Sequence, residues 1–476
     1  MALDRPGTSD IAALRASFEG NGQGHVFRFW DQLDPAARAR LAHQAGTIRL
    51  PALLRGFAAI GARTRSASPK LEPVDAVPTP DRGGDPLAFE RARARGAELL
   101  AEGRVGVMVV AGGQATRLGF PGPKGAYPLG PVSDRSLFAI HAQKIRRLRA
   151  RCGRPVPWYV MTSQATDADT RRFFADHHHF GLPPRDVFFL VQRMVPSFDF
   201  AGRLVLEAPD RIFENPDGHG GALTALLDSG ALDDMQERGI DTLFYFQVDN
   251  PLVQIADPVF LGFHAERDAD VSCKVVRKQE PGEKVGVVAR VDGRVGVVEY
   301  TEIDEEHRNA RDDDGGLRFW AGSIAVHVFD TAFVRRVAKA ADDLLPYHAS
   351  AKRIPCVDAA GRTRTPAEPN GYKLERFVFD ALAATERVLV METPRSAEYS
   401  PVKNADGADS PATARCALSS RYRAWLEAAG VEIPPGGAAI EIDHSRVDGP
   451  EDARALGIRS AGEAGDVIHI AAGERA

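Results

Sequence analysis

The stretch VMVVAGGQATRLGFPGPKGAYPLG, residues 107–130, constrains the fold more than any other part of the chain. A short apolar run rich in β-branched residues marks a strand buried on both faces, and such strands belong to parallel sheets covered by helices. Here the run opens directly into a loop that holds Gly112, Gly113, Gly119 and Gly122 ahead of Lys124. In open α/β sheets ligands lie beyond the carboxyl ends of the strands, where glycines let backbone N–H groups approach an anion. The chain is therefore expected to be α/β, with this loop at the ligand edge.

The flanking sequence extends that expectation. Asp85-Pro86 is a helix-start signal for a helix to about residue 101, just ahead of the 105–110 strand. Further apolar runs at 158–161, 187–191, 243–248 and 388–391 alternate with helical spacing at 167–174 and 221–238, which predicts a doubly wound, mostly parallel sheet. GVVARVDGRVGVVEY, with Asp-Gly between two valine-rich segments, predicts a β-hairpin that covers part of the site. Residues 1–85 read as a helical N-terminal region, with Asp34-Pro35 as one helix start, followed by a proline-rich extended connector over 66–86. The catalytic domain is placed at 86–399. A small C-terminal domain with β character, opening with a helix over 411–429, is placed at 400–476.

The loop matches neither GxxxxGK[ST] nor GxGxxG, so it is a third kind of phosphate loop. Arg117 among the glycines and Lys124 in PGPKG supply cations in a stiff setting, which suits a polyphosphate. Asp249, in FQVDN at the end of an apolar strand, falls at the same sheet edge; a carboxylate there can hold Mg²⁺ against phosphate oxygens, and equally caps a strand end. Lys403, in PVKNAD, reads as a surface lysine unless the fold brings it to the site. His177-His178-His179 reads as a solvated helix end, since three adjacent histidines cannot share one helix face.

A net charge of −5 from 60 basic and 65 acidic residues, without long blocks of one sign, excludes a general nucleic-acid or membrane surface, so phosphate binding must be local. The N-terminus has no apolar signal core, and no segment approaches a membrane span, which fits a cytoplasmic protein. Cys152, Cys273, Cys356 and Cys416 form no CxxC pair and are expected to be buried thiols.

Taken together, AGGQATRLGFPGPKG, WYVMTS, PDGHGG, FQVDNPLV, VVEYTEI, KLERFVFD and SPVKNADGADSPATAR resemble the eukaryotic-type UDP-sugar pyrophosphorylases, most closely the UDP-N-acetylhexosamine branch. The motifs run in that family's order from about residue 105 to 415. The resemblance implies a nucleotidyltransferase fold, UTP and a sugar 1-phosphate as substrates, UDP-sugar and pyrophosphate as products, and Mg²⁺ as cofactor.

By position, it implies that Gly112 and Gly113 are uridine-side backbone, with Arg117 and Lys124 facing the triphosphate. Gln192 corresponds to a uracil-reading glutamine, Gly218 and His219 stand on the nucleoside side, and Asp249 corresponds to a metal-binding aspartate. Gly286, Glu299, Phe377 and Phe379 correspond to hexose contacts, and Lys403 to the lysine on the sugar phosphate.

Two departures bear on the sugar. His219-Gly220-Gly221 stands where the N-acetylglucosamine enzymes have NGG, and WAGSIAVH, with Trp320 and Ser323, stands where they have NAGNIANH. Transfer to N-acetylglucosamine 1-phosphate is the leading expectation. UDP-glucose or UDP-galactose synthesis, and a non-catalytic sugar-nucleotide binder, are the alternatives. A nicotinamide enzyme is disfavoured by the missing GxGxxG.

Overall fold

The computed structural model describes residues 8–65, 69–433, 439–457 and 467–470. They fall into two compact units, one drawn from Met1–Ser68, Gln192–Thr224 and Lys339–Ala381, the other from Pro69–Val191, Ala225–Ala338 and Leu382–Ala476.

The larger unit is built on a ten-stranded sheet. Its strands are β1 (Leu71–Pro73), β2 (Val105–Val110), β3 (Trp158–Thr162), β4 (Val187–Val191), β5 (Thr242–Gln247), β6 (Val271–Arg277), β7 (Val287–Val291), β8 (Arg294–Val298), β9 (Ala321–Asp330) and β10 (Val388–Glu392). The order across the sheet is β1-β7-β9-β5-β2-β3-β4, with β6 joining β9 to β10 and β8 on β7. Strands β5, β2, β3 and β4 are parallel, as the apolar runs predict. The long β9 enters antiparallel to β5. Asp292 and Gly293 form the hairpin turn between β7 and β8, both with positive φ.

Helices cover the sheet. The helix Pro86–Glu102 begins where the Asp85 carboxylate accepts the Leu87 amide at 3.0 Å. It crosses the helix Pro258–Glu266 almost backbone to backbone: a Cβ on Gly262 would lie 1.7 Å from the Ala92 carbonyl oxygen. Only glycine fits that crossing. The helix expected over 221–238 is two helices, Gly221–Asp228 and Ala231–Glu237, because Ser229-Gly230 interrupts it.

The compact units differ from the linear segmentation. Prolines 73 and 78 do not make a free connector, because β1 pairs with β7 and Val77 bridges Met391, so this stretch is an edge of the large sheet. Residues 66–68 of it lie outside the described residues. The 86–399 segment is not one body either, since 192–224 and 339–381 belong to the smaller unit. Nor do the described residues of the C-terminal segment form a core apart from the sheet's. Leu418, Tyr422 and Leu426 of the helix Pro411–Ala428, with Ile440, share one apolar cluster with Leu99, Val107 and Phe246.

The smaller unit packs the helices Pro35–Thr47 and Leu50–Arg65 with a three-stranded sheet, Phe198–Asp199, His348–Lys352 and Gly371–Glu375. Asp34 caps the first helix through the Ala37 amide at 2.8 Å. The Phe57 and Phe198 rings stack at 4.3 Å over the shared core. All four cysteines are free, but only Cys273 is buried: Cys152 and Cys356 are half-buried and Cys416 is exposed, which corrects the expectation of buried thiols. No described helix is long and apolar enough to cross a membrane.

Candidate functional site

The glycine loop leaves β2 and folds back on itself. Lys124 N–H donates to the Gly113 carbonyl at 2.9 Å and Ala115 N–H to that of Gly122 at 3.1 Å. The Ser163 hydroxyl, just past the end of β3, donates to the Gly112 carbonyl at 2.8 Å and ties the loop to the neighbouring strand. Gly113 is left exposed, with nothing within 4 Å of where a Cβ would stand. Arg117 is exposed and makes no ion pair or hydrogen bond among the described residues. The loop thus offers unblocked backbone and a free guanidinium at the carboxyl edge of the parallel strands.

Lys124 turns toward the next strand, and its Nζ donates to Asp249 Oδ2 at 2.7 Å. Asp249 follows β5 and is 8% exposed. Burial acts to raise its carboxyl, but Lys124 and then Lys403 outweigh burial and hold it below the usual carboxylate range. Lys403 arrives because Val402 N–H donates to the Asp249 carbonyl at 2.9 Å, while the Lys403 and Asn404 amides close a turn on the Asp409 carbonyl. Its Nζ donates to Tyr399 Oη at 3.2 Å. Burial disfavours the ammonium, yet Tyr399 and Asp249 push it above the ordinary lysine range. A loop that reads as surface is therefore attached just past the end of β5.

The sugar-side candidates of this unit share one edge. Ser323 N–H donates to the Gly286 carbonyl at 2.8 Å, and Val287 pairs with Gly322. Glu299 directly follows β8 in the hairpin. Pairing between β5 and β9 stops at Tyr245 and His327, so the first part of β9 runs on past the end of β5, on the Asp249 side. The Arg277 guanidinium lies over the Trp320 ring at 4.2 Å, and Arg277 Nε donates to Glu392 at 2.8 Å. The indole is held by a cation that is itself anchored.

The remaining candidates lie in the smaller unit. Gln192 is buried, and its carboxamide makes no hydrogen bond among the described residues. Gly218 has φ 73, and a Cβ there would lie 2.6 Å from the Arg376 carbonyl oxygen. That carbonyl accepts Gly220 N–H at 2.8 Å, and Arg376 N–H donates to the Asp217 carbonyl at 2.9 Å, so two chain segments clasp each other. Val378 N–H donates to His219 Nδ1 at 3.1 Å, which makes the ring a neutral acceptor there with its proton on Nε2. Burial, with His348 nearby, pushes His219 down to about 4. Phe377 stacks on His219 at 5.1 Å and on His348 at 4.3 Å, with Phe379 5.0 Å from Phe377. His219 is thus part of an aromatic wall with Phe377 and Phe379.

Several supporting residues escape sequence reasoning. Tyr399 and Arg277 carry no motif signal of their own, since each acts by holding another side chain. Ser163 ends the quoted WYVMTS and was legible as a strand-end hydroxyl. Arg376 sits inside KLERFVFD, where its type suggests surface; it is 1% exposed, donates to Asp342 at 2.8 Å and stacks on Tyr347 at 4.2 Å. The three histidines lie as expected at a helix end: His177 follows the helix Asp167–Asp176, and His177 and His178 are exposed.

The chain is similar to known proteins over most of its length. The family model for UTP–glucose-1-phosphate uridylyltransferase matches residues 81–424. The chain is 40% identical over 462 residues to the UDP-N-acetylhexosamine pyrophosphorylase-like protein 1 of Xenopus tropicalis, covering 93% of this chain and 90% of that one. It is 35% identical over 439 residues to the UDP-N-acetylglucosamine pyrophosphorylase of Saccharomyces cerevisiae, covering 88% and 92%. The crystal structure of the uridine diphosphate N-acetylglucosamine pyrophosphorylase of Trypanosoma brucei with an inhibitor superposes with a TM-score of 0.84 at 28% identity, covering 99% of this chain and 100% of that one. With the strand-borne glycine loop and the strand-end aspartate in place, the chain belongs to the UTP–glucose-1-phosphate uridylyltransferase family.

Proposed function

We propose that this protein joins UTP to a sugar 1-phosphate, N-acetylglucosamine 1-phosphate foremost, and releases pyrophosphate. The observation that carries the reading is the convergence of Lys124, Asp249 and Lys403, two cations around one strand-end carboxylate. In the reaction a sugar-phosphate oxygen bonds to the α-phosphorus of UTP while the bond from that phosphorus to the β-phosphate oxygen breaks. The obstacle is charge: two unit charges about 4 Å apart repel by about 1 kcal/mol in water and about 4 kcal/mol at an effective dielectric of 20. Several such pairs oppose each other here, so fixed cations and alignment are the main requirement.

Lys403 suits the incoming phosphate, being charged and held by Tyr399. Lys124 and Arg117 suit the triphosphate and the leaving pyrophosphate. No general base is needed, because a sugar phosphate is already ionised at neutral pH. Gln192, with an uncommitted carboxamide, suits a uracil edge, and Gly112, Gly113 and Gly218 suit close backbone approach.

Asp249 would hold Mg²⁺. Among the described residues no group of three or more His, Cys, Asp or Glu is set for a metal. A single carboxylate fits an ion whose shell is completed by phosphate oxygens and water. Such an ion neutralises phosphate charge when bound. The four unpaired thiols suit a reducing compartment, in keeping with a cytoplasmic enzyme.

A second reading, transfer to glucose or galactose 1-phosphate, is favoured by the fixed indole of Trp320, a bulky wall in place of an asparagine. Pyrophosphate release from UTP and Mg²⁺ with N-acetylglucosamine, N-acetylgalactosamine, glucose or galactose 1-phosphate tests both. The largest kcat/KM is expected with N-acetylglucosamine 1-phosphate. A preference for glucose or galactose establishes the second reading, and no release with any sugar leaves only a binding protein.

A further inference from the structure

A cavity of about 540 Å³ lies within the larger unit, and none of its lining residues belongs to the candidate site. Ala97 and Leu100 of the helix Pro86–Glu102 line it, together with Leu148, Ile255, Trp425 and Arg421. That volume falls within the range of small-molecule sites, about 300–1,000 Å³. The walls mix aliphatic and aromatic side chains with charged ones, Arg93 and Arg151 beside Asp257, Asp448 and Glu451; among them Arg421 is 8% exposed, and its Nε has no hydrogen-bond partner among the described residues. None of the three acidic lining residues, Asp257, Asp448 and Glu451, bonds the guanidinium, whose partners are the Leu252 and Ala397 carbonyls. Asp257 is taken by Lys274 at 2.8 Å and Asp448 by His444 at 3.0 Å. A buried donor without an acceptor, beside an indole and aliphatic walls, matches an anion carried on a flat apolar body.

The rest of Arg421 is committed to the candidate site's backbone. Its Nη1 donates to the Leu252 and Ala397 carbonyls, both at 2.5 Å. Leu252 lies just past Asp249, and Ala397 just before Tyr399 and Lys403. Lys144 and Glu398 hold the same stretch, Lys144 through the Pro251 and Val253 carbonyls and Glu398 through the Gln254 amide. A ligand that draws on the Arg421 guanidinium competes with the two carbonyls that join these segments.

We infer that this cavity is an effector site for an organic anion with an aromatic body, which acts on Asp249 and Lys403 through Arg421. The binding does not depend on the proposed function, whereas the effect on turnover rests on it.

The test uses the full chain and 8-anilinonaphthalene-1-sulfonate, an aromatic sulfonate that fluoresces in apolar surroundings. Ala97→Trp fills the cavity from an exposed helix position, so the core is not disturbed. The wild type is expected to bind the probe at one saturable site that saturating UTP does not displace, and the variant at least tenfold more weakly. The probe should lower wild-type kcat severalfold and leave the variant's kcat unchanged, the two being equal without probe. Displacement by UTP, no saturable binding, or equal binding by the variant overturns the site. Binding with unchanged kcat overturns the coupling. A wild type without any turnover refutes the proposed function instead, and the binding comparison still decides the site.

Discussion

The amide of Val402 donates to the carbonyl of Asp249 at 2.9 Å, joining the end of a buried strand to a loop from much later in the chain. Through that one bond Lys403 comes under the influence of the Asp249 carboxylate, and Asp249 stands under two ammonium groups. The charges pre-exist in the protein. Their positions are set by the fold before any polyphosphate binds, which is a condition for strong electrostatic stabilisation.

Removing either Lys403 or Asp249 should therefore cost the reaction far more than the fold. Lys403→Ala and Asp249→Ala are each expected to lower pyrophosphate release by roughly 10²-fold or more, the scale of losing a fixed group aimed at developing charge. Circular dichroism should be unchanged. Near-normal turnover in either variant refutes the assigned roles.

Tyr399→Phe deletes one hydroxyl and leaves Lys403 in place. Loss of a hydrogen bond to a charged group is worth about 1.5–3 kcal/mol in general, and less where the ammonium finds water instead. A severalfold rise in KM for the sugar 1-phosphate is expected, with KM for UTP unchanged. Equal effects on both substrates would show that the tyrosine is only a packing residue.

The pH profile tests the Lys124–Asp249 pair. Lys124 is the larger of the two cationic influences that hold the Asp249 carboxyl down against burial. In Lys124→Met the carboxyl should titrate at higher pH, so the acid limb of kcat/KM should move upward from its wild-type position. An unmoved acid limb would mean that Asp249 does not control it.

Asp217 gives a stability signature of opposite sign. Burial pushes its carboxyl up to about 6, against the pull of Arg376 and Arg193, and its Oδ1 has no hydrogen-bond partner among the described residues. A raised folded-state value means that the folded form holds the proton more tightly. Its contribution is present in full below pH about 4 and is lost as pH rises through 6, on the order of 3 kcal/mol. Asp217→Asn stays neutral, so its urea stability relative to wild type should rise between pH 4 and 7. A constant difference over that range would rule out the titration.

The Arg277 stack on Trp320 gives a test of the proposed sugar-side role of the indole. Arg277→Ala frees the indole, and KM for N-acetylglucosamine 1-phosphate is expected to rise severalfold while KM for UTP stays constant. Steady-state kinetics with each substrate varied separately distinguishes this from a general loss of stability, which would lower active enzyme without changing either KM.

Much of the molecule was legible from local pattern. Apolar runs identify β2 to β5 within a residue or so, because a strand buried on both faces admits little else. Asp34, Asp85 and Ser410 announce helix starts through carboxylate or hydroxyl acceptors for amides that the helix leaves unpaired. Asp249 was visible as a strand-end acid beside a glycine loop.

What local pattern did not carry is long-range. The sequence by itself determined the strands, the loop chemistry and the helix caps, because these depend on neighbours within a few residues. Only the tertiary structure decided that Lys403 comes within electrostatic reach of Asp249, that Arg277 pins Trp320, and that 192–224 and 339–381 leave the sheet segment for the N-terminal helices. Those outcomes depend on which distant hydrogen bonds and apolar faces satisfy one another once the chain is closed. A lysine in a proline-flanked loop has the same local preferences whether water or a buried tyrosine hydroxyl receives it.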